Sequence, residues 1–280
     1  MNQQIIFIDV DGTLCNDYGR VPESAGVAIH KARQNGHKVY LCTGRSKAEI
    51  TDEIKNIEFD GFIGAGGGYI EEQGKLLLHK KFDLADLSSI VRFFKKEGIG
   101  YYLESNDGLF ASDTCIPEIR KQIFKGLNKT DAEYQKRASE LSFFFDLLLP
   151  EKPVSELTTV NKISFMSEHV PFEKVKNTYQ DKFTILHTTV PLFGENSGEI
   201  VLRGINKEVA IRYLLTHLNT SPAQTIAIGD GMNDFEMLQF VNYGVAMGNA
   251  KQELKNIADF VTGTPDEDGI ANFFKQHGLT

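Results

Sequence analysis

The sequence predicts a doubly wound α/β core with a parallel sheet, interrupted by an inserted α+β domain. Strand and helix patterns alternate between residues 5 and 64, which is typical of parallel strands joined by crossover helices. In the middle of the chain, aromatic segments flank an Asn-Asp-Gly turn, and this combination favours an antiparallel hairpin. The strand–helix alternation then returns near Glu199. We therefore predict a core of residues 1–83 and 191–280 and an inserted domain of residues 84–190.

The first part of the predicted core rests on short apolar runs that end at glycine-containing loops. Residues 5–8 are continuously apolar, which indicates a parallel strand buried on both faces. Pro22 and Gly36 bound the helix that follows, since proline is favoured in a first helical turn and glycine just after the last turn. The predicted elements are a strand at 5–8, a helix at 22–35, a strand at 39–42, a helix at 47–56 and a strand at 62–64.

Helical periodicity and turn residues define the elements of the inserted domain. Leu87, Ile90 and Phe94 recur at helical spacing, and Gly98 follows as a stop. The predicted elements are a helix at 84–97, hairpin strands at 101–103 and 109–111, a mostly helical stretch at 116–140, a strand at 162–166, a helix at 172–180 and a strand at 183–188.

The second part of the core repeats the first pattern. An amphipathic helix is predicted at 207–218, and a buried strand at 225–228 ends in a glycine-rich acidic loop. A helix after this loop, a strand at 243–246 and a helix from Lys251 complete the predicted core.

The composition limits the classes of partner. The chain has 30 basic and 38 acidic residues and a formal net charge of −8, which disfavours nucleic acid because the phosphate backbone attracts basic surfaces. The widely spaced Cys15, Cys42 and Cys115 predict neither a disulfide framework nor a cysteine metal site. We recognise no signal peptide and no apolar run of membrane-spanning length. We expect a cytoplasmic protein without a membrane partner, and its oligomeric state is left open.

Four aspartates follow two of the predicted strands. Asp9 and Asp11 come after the first strand, and Asp230 and Asp234 follow the strand at 225–228. In open α/β sheets, ligands bind beyond the carboxyl ends of the strands, where these side chains meet if the two strands are neighbours. Clustered carboxylates repel one another, and a hard cation that prefers oxygen ligands relieves the repulsion. The sequence therefore predicts a Mg²⁺ site at Asp9, Asp11, Asp230 and Asp234.

Other residues near the strand ends predict a phosphate site. Lys207 opens a predicted helix and supplies a point cation, and Thr43 supplies a hydroxyl donor. Backbone N–H groups of glycine-containing loops, including the loop at Gly44, add anion binding. A carboxylate with an ordinary pKa is ionised at neutral pH and attacks phosphorus without a base, and a second carboxyl group can protonate the leaving oxygen. Together these residue types favour phosphoryl transfer.

The order of these motifs resembles that of the haloacid dehalogenase (HAD) superfamily of phosphatases. The segment DVDGTL at residues 9–14 is similar to the DxDGTL signature, and LCTGR at 41–45 resembles the second motif. Lys207 fits the third motif, and GDGMND at 229–234 resembles the fourth in its Cof-type form. Two further segments resemble the Cof-type branch: GVAMGNA at 244–250 and DEDGI at 266–270.

The resemblance implies a role for each matching residue. Asp9 would be the nucleophile that becomes an aspartyl-phosphate, and Asp11 would be the general acid and then the base, with its backbone carbonyl at the metal. Asp9 and Asp230 would bind Mg²⁺ through their side chains, and Asp234 would support the metal site. The phosphate would be held by Thr43, Gly44, Lys207 and Asn233. The inserted domain would be a C2B cap that covers the site and selects the leaving group.

Several alternative interpretations stay open. The aspartates also suit turns, Lys207 suits a solvated helix start, and Thr43 suits a helix cap, while we expect Arg45 to be solvated or to face the cap. The same motifs fit a phosphotransferase or phosphomutase, and a non-catalytic phospholigand-binding regulatory protein is a further alternative. The Asn-Gly pair usual in Cof-type proteins is replaced by GAGGG at residues 64–68. The favoured prediction is a Mg²⁺-dependent phosphatase of small phosphorylated metabolites, such as sugar phosphates, nucleotides or phosphorylated cofactors.

Overall fold

The computed structural model describes residues 3–16, 18–188 and 190–280 and divides into two compact units. The core unit contains the chain up to Arg45, Ile50–His79 and Gly204–Thr280. The insert unit contains Ser46–Glu49 and Lys80–Arg203. The predicted insertion at 84–190 falls within the longer segment of the insert unit.

The elements follow the predicted alternation over most of the chain. The first part of the core unit contains β1 (Ile5–Ile8), α1 (Glu23–Gln34), β2 (Lys38–Cys42), α2 (Asp52–Lys55), β3 (Gly61–Gly64), β4 (Tyr69–Glu72) and β5 (Lys75–His79). The insert unit contains α3 (Leu84–Glu97), β6 (Gly100–Ser105), β7 (Gly108–Ala111), α4 (Cys115–Ile123), α5 (Ala132–Glu140), α6 (Ser142–Leu147), β8 (Leu148–Pro150), β9 (Val160–Met166), α7 (Phe172–Tyr179), β10 (Phe183–His187) and β11 (Gly198–Leu202). The second part of the core unit contains α8 (Lys207–His217), β12 (Thr225–Gly229), α9 (Phe235–Phe240), β13 (Tyr243–Ala246), α10 (Gln252–Ile257), β14 (Phe260–Val261) and α11 (Gly269–Gln276).

The core sheet has the strand order β14-β13-β12-β1-β2-β3-β4-β5, and it is parallel from β14 to β3. The alternation of side chains along β1 explains its unbroken apolar sequence. Ile6 and Ile8 pack with residues of α1 and α11, whereas Ile5 and Phe7 pack with residues of α8 and α9 on the opposite face. The predicted doubly wound parallel core is therefore confirmed, with β1 near its centre.

The predicted helix at 47–56 is wrong as a single element. A short 3₁₀ turn covers Lys47–Glu49, and α2 starts only at Asp52. The Glu49 carboxylate accepts hydrogen bonds from the backbone N–H and the hydroxyl of Ser46. These bonds stabilise the short 3₁₀ turn as a separate element. Thr51 then adopts an extended backbone, in a sequence where β-branched side chains disfavour a continuous helix.

The predicted and the observed elements also differ in segments whose helix or strand pattern is weak. The stretch at 116–140 forms two helices, α4 and α5, separated by a loop in which Gly126 has a positive φ of 77°. The hairpin of β4 and β5 was not predicted, because its turn is formed by Gln73 and Gly74 rather than by the more usual Asn-Gly or Asp-Gly. The elements α6, β8 and β11 were also missed.

The insert unit contains a six-stranded sheet in the order β10-β11-β9-β6-β7-β8, which is antiparallel except for the pair β7 and β8. The predicted hairpin around the Asn-Asp-Gly turn is confirmed as β6 and β7. One face of the sheet forms an apolar cluster with α3 and α7, in which the ring of Phe94 of α3 packs against the rings of Tyr101 and Phe165. Within the described residues, no helix combines the length and the apolar character needed to cross a membrane.

The packing of Phe94 gives a prediction about stability. Phe94 is fully buried, so Phe94→Ala should lower the free energy of unfolding by about 3–5 kcal/mol, through lost apolar burial and the cavity that is created. Leu84→Ala, on the same helix but at a side chain that is 54% exposed, should change it by about 0.5 kcal/mol or less. Urea unfolding followed by circular dichroism measures both, and equal losses would contradict this account of the cluster.

Candidate active site

The site begins at the carboxyl ends of two neighbouring parallel strands. β1 pairs with β12, and Ile8 lies opposite Ile228. The pairing continues one residue further, since the backbone N–H of Asp9 donates to the carbonyl of Ile228 at 3.0 Å. Asp230 follows β12 directly, so the two strands deliver both aspartates to the same edge of the sheet, as the sequence predicted.

A buried lysine joins two of the aspartates. The Lys207 Nζ lies 2.5 Å from Oδ1 of Asp9 and 2.5 Å from Oδ1 of Asp234. Lys207 is only 2% exposed and is the first residue of α8, whose start is capped by the Asn206 side chain. All three charged side chains are buried, so each requires the others as compensation for lost hydration. The predicted alternative of a solvated Lys207 is therefore wrong.

Asp234 organises the loop after β12. Its Oδ2 accepts hydrogen bonds from the backbone N–H groups of Asp230 and Gly231 at 3.1 and 3.0 Å, while Oδ1 pairs with Lys207. Gly229 is required for this arrangement, because a Cβ atom there would lie 2.5 Å from the Asp234 carboxyl carbon. Both carboxylate oxygens of Asp234 thus bind groups of the protein itself.

Asp230 is held by two residues that were not assigned a role from the sequence. The Thr13 hydroxyl donates to Oδ1 of Asp230 at 2.9 Å. Asn249 Nδ2 lies 3.3 Å from Oδ2 of Asp230 and also donates to the carbonyl of Gly12 at 2.9 Å. Gly12 has a φ of 74°, and a Cβ atom there would collide with the Asp230 carboxylate. Thr13 and Asn249 lie within the segments at 9–14 and 244–250 that resemble family motifs. Membership of these segments was the sequence signal that could have identified them.

Burial shifts the pKa values of the charged groups. Burial and repulsion from Asp234 raise the pKa of Asp9 well above its usual range, although Lys207 opposes the shift. Burial raises the pKa of Asp230 to about 6. Burial alone would lower the pKa of Lys207, but the attraction of Asp234 and Asp9 outweighs it and raises this pKa. The expectation of an ordinary pKa for the Asp9 carboxylate is therefore wrong for the protein without a bound cation.

The carboxylates fit a divalent metal ion. Oxygens of Asp9, Asp230 and Asp234 all lie within 4.8 Å of one another. Lys207 contacts two of these three carboxylates, and burial together with repulsion from Asp234 raises the pKa values of Asp9 and Asp230. Closely spaced oxygen ligands with excess negative charge match the preference of a hard cation such as Mg²⁺. Among the described residues, the Asp11 side chain is not part of this group.

Three of the residues predicted to hold phosphate lie in the loops after β2 and β12. Thr43 is buried just after β2, and its hydroxyl accepts a hydrogen bond from the backbone N–H of Arg45 at 3.1 Å. The 3₁₀ turn that follows starts only at Lys47, so Thr43 does not cap a helix. The loop after β2 also lies next to the loop after β12, since a Cβ atom on Gly44 would be 3.9 Å from Asn233 Nδ2. The fold therefore brings Thr43, Gly44 and Asn233 to one edge of the sheet.

Arg45, the last residue of the LCTGR segment, forms an ion pair that the sequence did not predict. Its side chain is only 13% exposed, and it pairs with the Asp11 carboxylate through two contacts, Nε to Oδ2 at 3.1 Å and Nη2 to Oδ1 at 2.6 Å. Of the two expected positions for this arginine, solvated or facing the cap, the low exposure shows that the solvated one is wrong. The partner was hidden because Asp11 and Arg45 follow different strands, which become neighbours only in the folded sheet.

Comparison with known proteins identifies the family of this chain. The profile of the family described as haloacid dehalogenase-like hydrolase matches residues 6–274. The phosphatase YwpJ of Bacillus subtilis is 26% identical over 97% of this chain and 99% of its own length. The chloroplastic endoribonuclease YBEY of Arabidopsis thaliana is 29% identical over 95% of this chain, but the chain spans only 45% of that longer protein. A hypothetical protein from Geobacillus kaustophilus has a crystal structure that superposes with a TM-score of 0.81, at 25% identity, over 100% of both chains.

The pKa of Asp230 gives a prediction about pH. The unfolded chain loses this proton near pH 4, whereas the folded protein keeps it to about pH 6. The folded state therefore binds more protons in this window, and without divalent metal the free energy of unfolding should fall as pH rises through it. In Asp230→Asn, the free energy of unfolding should decrease over this pH window by about 2 kcal/mol less than in the wild type.

Urea unfolding in the presence of a chelator, at about pH 4 and about pH 7, measures the effect. Asp52→Asn is the control, because the Asp52 side chain is 93% exposed. The same pH dependence in Asp230→Asn and in the wild type would contradict the shift.

Proposed function

The chain belongs to the haloacid dehalogenase-like hydrolase family and is a phosphatase, and we propose that it hydrolyses small phosphorylated metabolites with Mg²⁺ through an aspartyl-phosphate on Asp9. The observation that carries this proposal is the buried contact of Lys207 with Asp9, beside the carboxylate of Asp230. This contact supports the proposal because a buried ammonium and three closely spaced carboxylates lie together at one edge of the sheet. The insert unit is proposed to be the C2B cap.

The first chemical step is attack of an Asp9 carboxylate oxygen on phosphorus. The new bond forms as the bond from phosphorus to the leaving oxygen breaks, and Asp11 gives its proton to that oxygen. Lys207 holds the Asp9 carboxylate in place and lies where its charge can offset phosphate oxygens. Thr43, Gly44 and Asn233 are proposed to bind the remaining phosphate oxygens through a hydroxyl, a backbone N–H and an amide.

The second step restores the enzyme. A water molecule attacks phosphorus of the aspartyl-phosphate while Asp11, now a carboxylate, takes its proton. The bond between phosphorus and the Asp9 oxygen breaks, and inorganic phosphate leaves. Two carboxylates therefore carry out the reaction, one as nucleophile and one as acid and base.

Mg²⁺ would be held by the side chains of Asp9 and Asp230 and the backbone carbonyl of Asp11, with Asp234 supporting the site. When bound, it supplies positive charge that keeps the carboxylates ionised and neutralises phosphate. Burial and the neighbouring carboxylates raise the pKa of Asp9 and so disfavour its charged form, whereas a bound cation would favour that form. Asp234 serves by positioning, because its oxygens already bind Lys207 and two backbone N–H groups.

The general properties of the chain support a small-molecule substrate. The net charge of −8 disfavours nucleic acid as the partner. The cysteines Cys15, Cys42 and Cys115 are buried free thiols, which supports the proposed location in the reducing cytoplasm.

Removal of the nucleophile tests the mechanism. Asp9→Asn should reduce Mg²⁺-dependent phosphate release from p-nitrophenyl phosphate to background, a loss of roughly 10⁴-fold or more, because an amide cannot form the covalent intermediate. The exposed Asp52→Asn variant should keep wild-type activity. Phosphate release measured at saturating Mg²⁺ distinguishes them, and full activity in Asp9→Asn would reject the mechanism.

Metal binding is tested separately by thermal unfolding. Mg²⁺ should raise the melting temperature of the wild type, because a ligand that binds only the folded state stabilises it. The increase should be largely lost in Asp230→Asn and kept in Asp52→Asn. An equal increase in all three proteins would place the metal elsewhere.

A further inference from the structure

The ion pair of Arg45 and Asp11 is separate from the buried carboxylate group. Lys207 contacts Asp9 and Asp234, whereas Arg45 engages both oxygens of Asp11 at 3.1 and 2.6 Å. Two parallel N–H···O contacts define the orientation of the carboxylate plane as well as its position. A single point charge does not impose this orientation.

Arg45 is the fixed member of the pair. Its backbone N–H donates to the Thr43 hydroxyl at 3.1 Å, and its carbonyl accepts from the N–H of Ala65 at 2.8 Å. The Arg45 side chain is 13% exposed, whereas the Asp11 side chain is 65% exposed. The difference in burial means that the arginine determines where the exposed carboxylate lies.

We propose that Arg45 is a positioning residue for the acid and base function of Asp11. The proposal rests on the proposed function, in which Asp11 donates a proton to the leaving oxygen. When that proton is transferred and the bond from phosphorus to the leaving oxygen breaks, Asp11 is left as a carboxylate. The guanidinium stabilises and orients this carboxylate, which then takes a proton from the attacking water. Arg45 therefore acts on phosphate ester hydrolysis through Asp11.

The core unit contains a matched arginine–aspartate pair. Arg33 contacts both oxygens of Asp60, with Nε at 3.0 Å and Nη2 at 3.2 Å. Asp60 precedes β3, so this pair lies at the amino end of a parallel strand, whereas Asp11 and Arg45 follow the carboxyl ends of β1 and β2. Arg33→Gln therefore removes a similar two-contact pair outside the site and is the control for a purely structural effect.

The test compares esters whose leaving groups differ in their need for a proton. Mg²⁺-saturated kcat/KM is measured for phenyl phosphate and for p-nitrophenyl phosphate, whose phenolate leaves readily without protonation. Arg45→Gln should lower kcat/KM roughly a hundredfold on phenyl phosphate and far less on p-nitrophenyl phosphate. Asp11→Asn should show the same dependence on the leaving group. Arg45→Lys should lie between Arg45→Gln and the wild type, because it keeps the charge without the paired contacts.

A double variant separates positioning from other roles. If Arg45 acts through Asp11, the variant with both Asp11→Asn and Arg45→Gln should be no slower than Asp11→Asn alone. Arg33→Gln should leave the ratio of the two esters unchanged. Equal losses on both esters in Arg45→Gln, or additive losses in the double variant, would overturn the proposal. Retained activity in Asp9→Asn, or no phosphate release by the wild type, would instead reject the proposed function and the role of Arg45 with it.

Discussion

The buried ammonium of Lys207 is the interaction on which the rest of the site depends. It lies 2.5 Å from an oxygen of Asp9 and 2.5 Å from an oxygen of Asp234, and the three side chains are almost fully shielded from water. Removing one member of such a group would leave an uncompensated buried charge, which is strongly destabilising. Because Lys207 starts α8 while the aspartates follow β1 and β12, this interaction joins three separate segments of the core unit.

The charge balance of the site explains how an acidic protein can serve an anionic substrate. Lys207 contacts two of the three carboxylates, and burial together with repulsion between the carboxylates raises the pKa values of Asp9 and Asp230. A bound divalent cation would reverse this balance and make the same point attractive to phosphate. The pair of Arg45 and Asp11 has the opposite character, since it is balanced in charge and partly exposed. Asp9 and Asp11, the proposed nucleophile and the proposed acid, thus lie in different electrostatic surroundings.

Elements with a strong local signal were predicted closely, whereas elements that depend on competing contacts were not. The bounds of α3 agree with the prediction because Asp83 caps its start and Gly98 ends it in the left-handed region, with a φ of 70°. The helix at 47–56 instead breaks where Glu49 bonds back to Ser46, an outcome that periodicity does not describe. The hairpin of β4 and β5 lacks the usual turn residues and gains its stability from pairing with β3.

By itself, the sequence determined the residue types of the site and their order, because acidic and glycine-rich loops after apolar runs are local patterns. The tertiary structure alone decided which charges meet. Lys207 and Asp9 are 198 positions apart, and Arg45 reaches Asp11 only because β1 and β2 are neighbours in the sheet. It also decided the pKa of Asp9, since desolvation depends on burial and not on residue type. Local patterns describe what a residue can do, whereas its partners and its hydration are properties of the packed fold.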